Sequence, residues 1–151
     1  MQTFDTLHTV TVTRDTNVDS AALWRVLSDL AALPEWAPGI NSAKVTSANS
    51  SGIGAVRRVE TAQFGPIEHS VTVWEPETRF AYETADSGPF SRTLTTYSVT
   101  PGEGGASVSV SLSFEIKPHA MEVDQAKAVL NKGLTATLQA LELRTRLHPA
   151  T

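Results

Sequence analysis

The sequence predicts an α+β fold, with a curved antiparallel sheet of seven strands wrapped around one long C-terminal helix and two short helices between the first and second strands. Three observations carry this expectation. Residues 40–116 read as successive strand segments separated by short, turn-rich breaks. After Pro118 the apolar period becomes helical for roughly 24 residues, or about 36 Å at the helical rise. Between the first strand and this run, Ala22, Leu23, Val26, Leu27 and Leu30 recur at helical spacing, and a second short turn over 31–36 ends at Pro38-Gly39.

The first strand is short. His8, Val10 and Val12 share one face and Thr9, Thr11 and Thr13 the other, which suits a half-buried strand. A turn is expected at 15–17, after which Asp19 is placed to cap the first helix through its carboxylate. The later strands are expected at 41–48, 55–62, 67–75, 79–85, 91–100 and 107–116. Their connections are too short for parallel crossovers, so neighbours should be antiparallel. The last strand alternates most cleanly, with Val108, Val110, Leu112, Phe114 and Ile116 against Ser107, Ser109, Ser111, Ser113 and Glu115. In the C-terminal helix Val123, Ala126, Leu130, Leu134, Thr137, Leu138 and Leu141 form the apolar stripe, with Lys132, Gln139 and Glu142 away from it. Gly133 interrupts this helix and is expected to mark a crowded or hollow place.

Composition narrows the function classes. The 151 residues are 40% hydrophobic and 19% charged, as in an ordinary globular chain, and no repeat or linker breaks the expectation of a single domain over 1–151 with its core at about 7–147. A net charge of -4 gives no electrostatic basis for binding nucleic acid. The absence of cysteine excludes disulfides and thiolate chemistry. No apolar run is long enough for an integral membrane segment and residues 1–12 do not resemble a signal peptide, so a cytoplasmic location is expected. His8, His69, His119 and His148 show no ligand spacing, no glycine-rich loop precedes a helix, and no nucleophile elbow occurs; neither a metal nor a cofactor is expected.

A seven-stranded sheet must curl to bury one face, and a single helix covers that face poorly, so an internal cavity is expected. Strand parity selects its polar lining. His69 shares a face with Ile67, Val71 and Val73; Tyr82 shares one with Phe80 and Thr84; Thr95 and Tyr97 share one with Val99 and Thr93. In the third strand Ala55, Arg57, Val59 and Thr61 form the drier face, which turns Arg57 inward and Arg58 outward, although a one-residue slip would exchange them.

The run Leu23-Trp24-Arg25-Val26-Leu27-Ser28-Asp29, then Leu33-Pro34-Glu35-Trp36-Ala37-Pro38-Gly39-Ile40, resembles the opening of the START-like (SRPBCC) superfamily, and more narrowly its bacterial polyketide cyclase/dehydrase group. Gly52-Ile53-Gly54-Ala55-Val56-Arg57 and Val73-Trp74-Glu75-Pro76 resemble the same group's third strand and a later strand-to-turn motif. The resemblance implies a helix-grip fold, a deep cavity between sheet and helix, and ligands such as lipids, hormones, quinones or aromatic polyketides. It also implies that the short second helix, with Trp36, borders the cavity. Relatives with this third strand often carry a carboxylate on the facing strand, where this chain has His69.

These readings nominate Trp36, Arg57, His69, Tyr82, Thr95, Tyr97, Leu130 and Leu134 as ligand contacts. His69 is also the candidate catalytic group, since an imidazole titrates near neutrality; the alternative is a cavity histidine that only orients a ligand. Arg57 is either an anchor for an anionic oxygen or a residue of the sheet surface. Tyr82 and Tyr97 either donate phenolic hydrogen bonds to a ligand or simply pack. Three functions compete: binding of a small hydrophobic molecule, a cyclase- or dehydratase-like enzyme using His69 and a tyrosine, and a partner-binding module. The chain is expected to be a monomer or homodimer.

Overall fold

The structure, a computed structural model, describes residues 7–147; His148 and the outer ends of the expected domain lie outside the described residues. The chain runs β1 (His8–Asp15), α1 (Ser20–Ser28), a 3₁₀ helix (Leu30–Glu35), β2 (Ile40–Val45), β3 (Val56–Thr61), β4 (Gly65–Glu75), β5 (Arg79–Ser87), β6 (Phe90–Thr100), β7 (Ser107–Ile116) and α2 (Val123–Leu147). The seven strands form one antiparallel sheet in the order β1-β7-β6-β5-β4-β3-β2, so every neighbour but β1–β7 is joined by a short connection. The START-like helix-grip architecture expected from the sequence is the one observed.

Register shifts at Ile40/Ser42, Val71/Val73 and Phe90/Arg92 bend three strands. Such bulges increase local twist, and here they let the sheet curl over its core. α2 lies across β1 and β7 and against α1. Beneath it Leu23, Leu27, Val108, Val110, Phe114, Leu138 and Leu141 are nearly inaccessible to solvent.

Several expectations are corrected. Strands β1 and β5 run on through residues expected to be turns, to Asp15 and Ser87, and β4 begins at Gly65 because Gly65 pairs with Thr61. Asp19 stands at the N-cap of α1 with extended backbone, but its side chain makes no capping bond; its carbonyl accepts from Leu23 N–H instead. Val73 does not share the inner face with His69 and Val71. The bulge there flips the alternation, so that Trp74 pairs with Phe80 and turns toward the core.

Glu142 is not on the solvent side of α2. It is buried, accepting from Arg14 Nε at 2.7 Å and from Asn17 N–H at 3.3 Å. Two donors at the end of β1 make burial of a carboxylate tolerable at the margin of an apolar stripe. Burial alone would raise the Glu142 pKa, but the Arg14 and Asn17 hydrogen bonds outweigh it and hold the group below its ordinary value.

Gly133 marks neither crowding nor a hollow: it is exposed, and a Cβ there would meet nothing within 4 Å. Gly133→Ala should therefore stabilise the protein by up to about 1 kcal/mol through helix propensity alone. A rise in the urea midpoint at unchanged slope is the expected result, and a loss of stability would contradict the open environment.

Candidate functional site

The site begins with a register position. Arg57 on β3 and His69 on β4 are direct cross-strand partners, so both side chains leave the sheet on the same face. Arg57 is 2% exposed, whereas Arg58 points to solvent near Glu60. Arg57 Nε and Nη2 donate to His69 Nδ1 at 3.1 and 2.8 Å, and Nη1 donates to the Leu30 carbonyl at 3.2 Å. A guanidinium has donors only, so Nδ1 must offer its lone pair and the neutral ring carries its proton on Nε2. Tyr82 holds both groups: its ring stacks on His69 with centroids 4.1 Å apart, and Arg57 Cζ lies 5.3 Å from its centre.

The electrostatics follow from this packing. Burial, and then the Arg57 cation, push the His69 pKa well below its ordinary value. Burial lowers the Arg57 pKa too, while the Tyr82 and Tyr97 phenols act in the opposite direction. Burial raises the Tyr97 phenol well above its ordinary value; Tyr82 adds to the rise and Arg57 opposes it. A cation, a neutral imidazole and the protonated Tyr97 phenol therefore share this corner of the molecule.

His69 and Tyr82 form part of the wall of a recess of about 150 Å³ under α2. Thr84, Thr93 and Thr95 continue the wall along β5 and β6, and Leu130 closes it from the helix. The Thr84 and Thr93 hydroxyls bond each other at 2.5 Å. Alongside lies an apolar groove of about 260 Å³ bordered by Met121, Ala126 and Val129, which shares Phe64, Phe90 and Leu130 with the recess. This recess lies at one end of the sheet. At the other end Trp24, Trp74, Phe80 and Tyr97 fill the space, with ring centroids 5.4–5.9 Å apart.

Of the sequence-nominated residues, His69, Tyr82, Thr95 and Leu130 line the recess, and Arg57 reaches it through His69. Tyr97 stacks on Phe80 and Leu134 is packed in the core; neither forms part of the lining. Trp36 is elsewhere. It follows the 3₁₀ helix and lies beside Ala140 and Arg144 of α2, and its buried Nε1 has no hydrogen-bond partner among the described residues. Phe64, Ser87 and Phe90 were missed as lining because they lie in or next to segments that read as turns. Among the described residues no three His, Asp or Glu side chains cluster as a metal site would require.

Residues 8–146 match the family model described as polyketide cyclase / dehydrase and lipid transport. The chain belongs to this family. No curated protein matches it. Its fold is that of a START superfamily protein from Mycobacterium smegmatis (TM-score 0.81, 19% identity, covering 93% of this chain and 98% of that one). It is also that of Ara h 8.0201 (TM-score 0.77, 20% identity, 94% and 99% covered). A putative uncharacterized protein from Bacillus thuringiensis is similar as well (TM-score 0.74, 21% identity, 91% and 98% covered). In this member of the polyketide cyclase / dehydrase and lipid transport family, a paired arginine and histidine stand beside the recess under α2. Among the described residues no helix is long and apolar enough to cross a membrane.

The depressed His69 pKa has a consequence for folding. As pH falls below about 6.5, the unfolded chain takes up a proton on this residue that the folded chain refuses. Stability should fall by up to about 1.4 kcal/mol per pH unit in that range, until the folded-state pKa is reached. Urea unfolding at pH 7, 6 and 5 should show this slope in the wild type and its loss in His69→Gln, which retains every other titrating group. Parallel pH profiles for the two proteins would refute the assignment.

Proposed function

We propose that this protein binds a small, largely apolar molecule carrying a hydrogen-bond acceptor, such as an aryl ketone, in the recess under α2. The observation that carries this reading is the lining of the recess: apolar and hydroxyl-bearing walls together with His69, whose ring proton sits on Nε2. Arg57 takes up Nδ1 and so fixes which nitrogen keeps the proton. In this reading His69, Tyr82, Thr95 and Leu130 touch the ligand, and Arg57 is a positioning residue that acts through His69. The volume suits one ring with a short substituent, since an engineered cavity of about 150 Å³ accommodates benzene.

The cyclase- or dehydratase-like alternative asks His69 to accept a proton during turnover. Burial and the neighbouring cation both resist that step, and the lone pair at Nδ1 is already engaged. Binding makes no such demand, so the geometry favours it over proton transfer.

Acetophenone and α-methylstyrene have nearly the same shape, but only the first offers an acceptor oxygen. Calorimetric titration should show the ketone bound about 5- to 150-fold more tightly, the cost of about 1–3 kcal/mol for leaving the His69 donor unpaired under the hydrocarbon. His69→Leu should abolish the preference while leaving the hydrocarbon bound. Failure of both compounds to bind, or an unchanged preference in the variant, would overturn the reading.

A further inference from the structure

Phe64, Phe90 and Leu130 line both the recess and the neighbouring groove, and they differ in how firmly they are held. The Phe90 ring is buried and packs edge-on against Phe114 with centroids 5.4 Å apart. Leu130 is carried on α2 and half-buried. Phe64 comes from the turn between β3 and β4, and its side chain is 37% exposed. Its backbone N–H is tied to Thr61 Oγ1 at 2.9 Å, so the main chain is fixed. The ring itself rests on Gly88, in the turn between β5 and β6, at a place where any Cβ would collide with it. Gly88 thus provides a seat that a side chain would obstruct, and the ring on that seat borders both hollows.

We propose that Phe64 determines the length of ligand this protein accepts: seated on Gly88, its ring is a displaceable partition that ends the recess, and a longer apolar tail must move it to reach the groove toward Met121 and Val129. The inference rests on the binding reading above and adds a specificity-determining residue to it. The groove beyond the partition is apolar, so the tail it would take is a hydrocarbon chain rather than a polar extension.

The test is a series of phenyl alkyl ketones of increasing chain length, titrated calorimetrically against the wild type and Phe64→Ala. In the wild type, affinity should stop rising once the chain reaches the partition. In Phe64→Ala it should continue to rise about fourfold for each further methylene that enters the groove. Phe64 also lines the recess, so each profile is read relative to that protein's own affinity for acetophenone, and circular dichroism reports that the variant is folded. Identical chain-length profiles would overturn the inference while leaving the binding reading intact. Loss of acetophenone binding in the variant alone would also overturn it, because Phe64 would then hold the short ligand directly. If neither protein binds any ketone, the binding reading itself fails, and this inference with it.

Discussion

The site depends on a buried cation that meets an imidazole rather than a carboxylate. Among the described residues no acidic side chain pairs with Arg57; its partners are His69 Nδ1, the Leu30 carbonyl and the Tyr82 face. A buried carboxylate opposite Arg57 would have neutralised the corner and left an acceptor there. A neutral histidine leaves the positive charge in place and presents a donor instead. Burial and this retained charge together make the imidazole resist protonation, and the stacked Tyr82 ring lies against both polar groups; the Tyr97 phenol is held up by burial, against the pull of Arg57.

The same strands that carry this pair decide where the molecule is hollow. Along β5 and β6 the inner residues change from Phe80 and Tyr97, which oppose each other, to Tyr82 and Thr95, and then to Thr84 and Thr93. Large rings at one end interdigitate with Trp24 and with Trp74, which the bulge in β4 swings inward. Threonines at the other end are too short to reach α2, and the space they leave is the recess. A gradient of side-chain size along two paired strands thus produces a filled core and a small pocket under one helix, instead of the deep cavity that the family resemblance implies.

Much of this was legible in the sequence because strand parity is a strict period of two. Alternation alone put Arg57 inside and Arg58 outside, and set His69, Tyr82, Thr95 and Tyr97 on one face. Parity fails where a residue is inserted. The bulge at Val71/Val73 leaves no mark in the hydrophobic pattern, so Trp74 reads as outward until the ladder is known. Glu142 was illegible for a different reason: its burial depends on Arg14 and Asn17, more than 120 residues away in sequence, and helical periodicity carries no information about such partners. Trp36 was misplaced because the resemblance gives the short helix a position near the cavity but does not specify which way its last side chain turns. Lining from Phe64 and Phe90 was missed because residues flanking a tight turn are read as solvent-facing, whereas here two turns meet at Gly88 over the edge of the recess.

The donor at His69 also bears on selectivity in a way that pocket volume does not. An apolar recess discriminates weakly between molecules of similar size, because one methylene more or less is worth only about 1 kcal/mol. A fixed donor discriminates more sharply and asymmetrically. A ligand with an oxygen in the right place exchanges one hydrogen bond for another at little net gain, but a ligand without one strands a desolvated N–H at a cost of about 1–3 kcal/mol. The donor at Nε2 is fixed because Arg57 already occupies Nδ1, so the ring cannot change tautomer to suit a ligand that offers a hydrogen instead. On the proposed binding reading, the arginine would give the recess a preference for acceptors over donors, although it lies behind the histidine and does not itself line the wall.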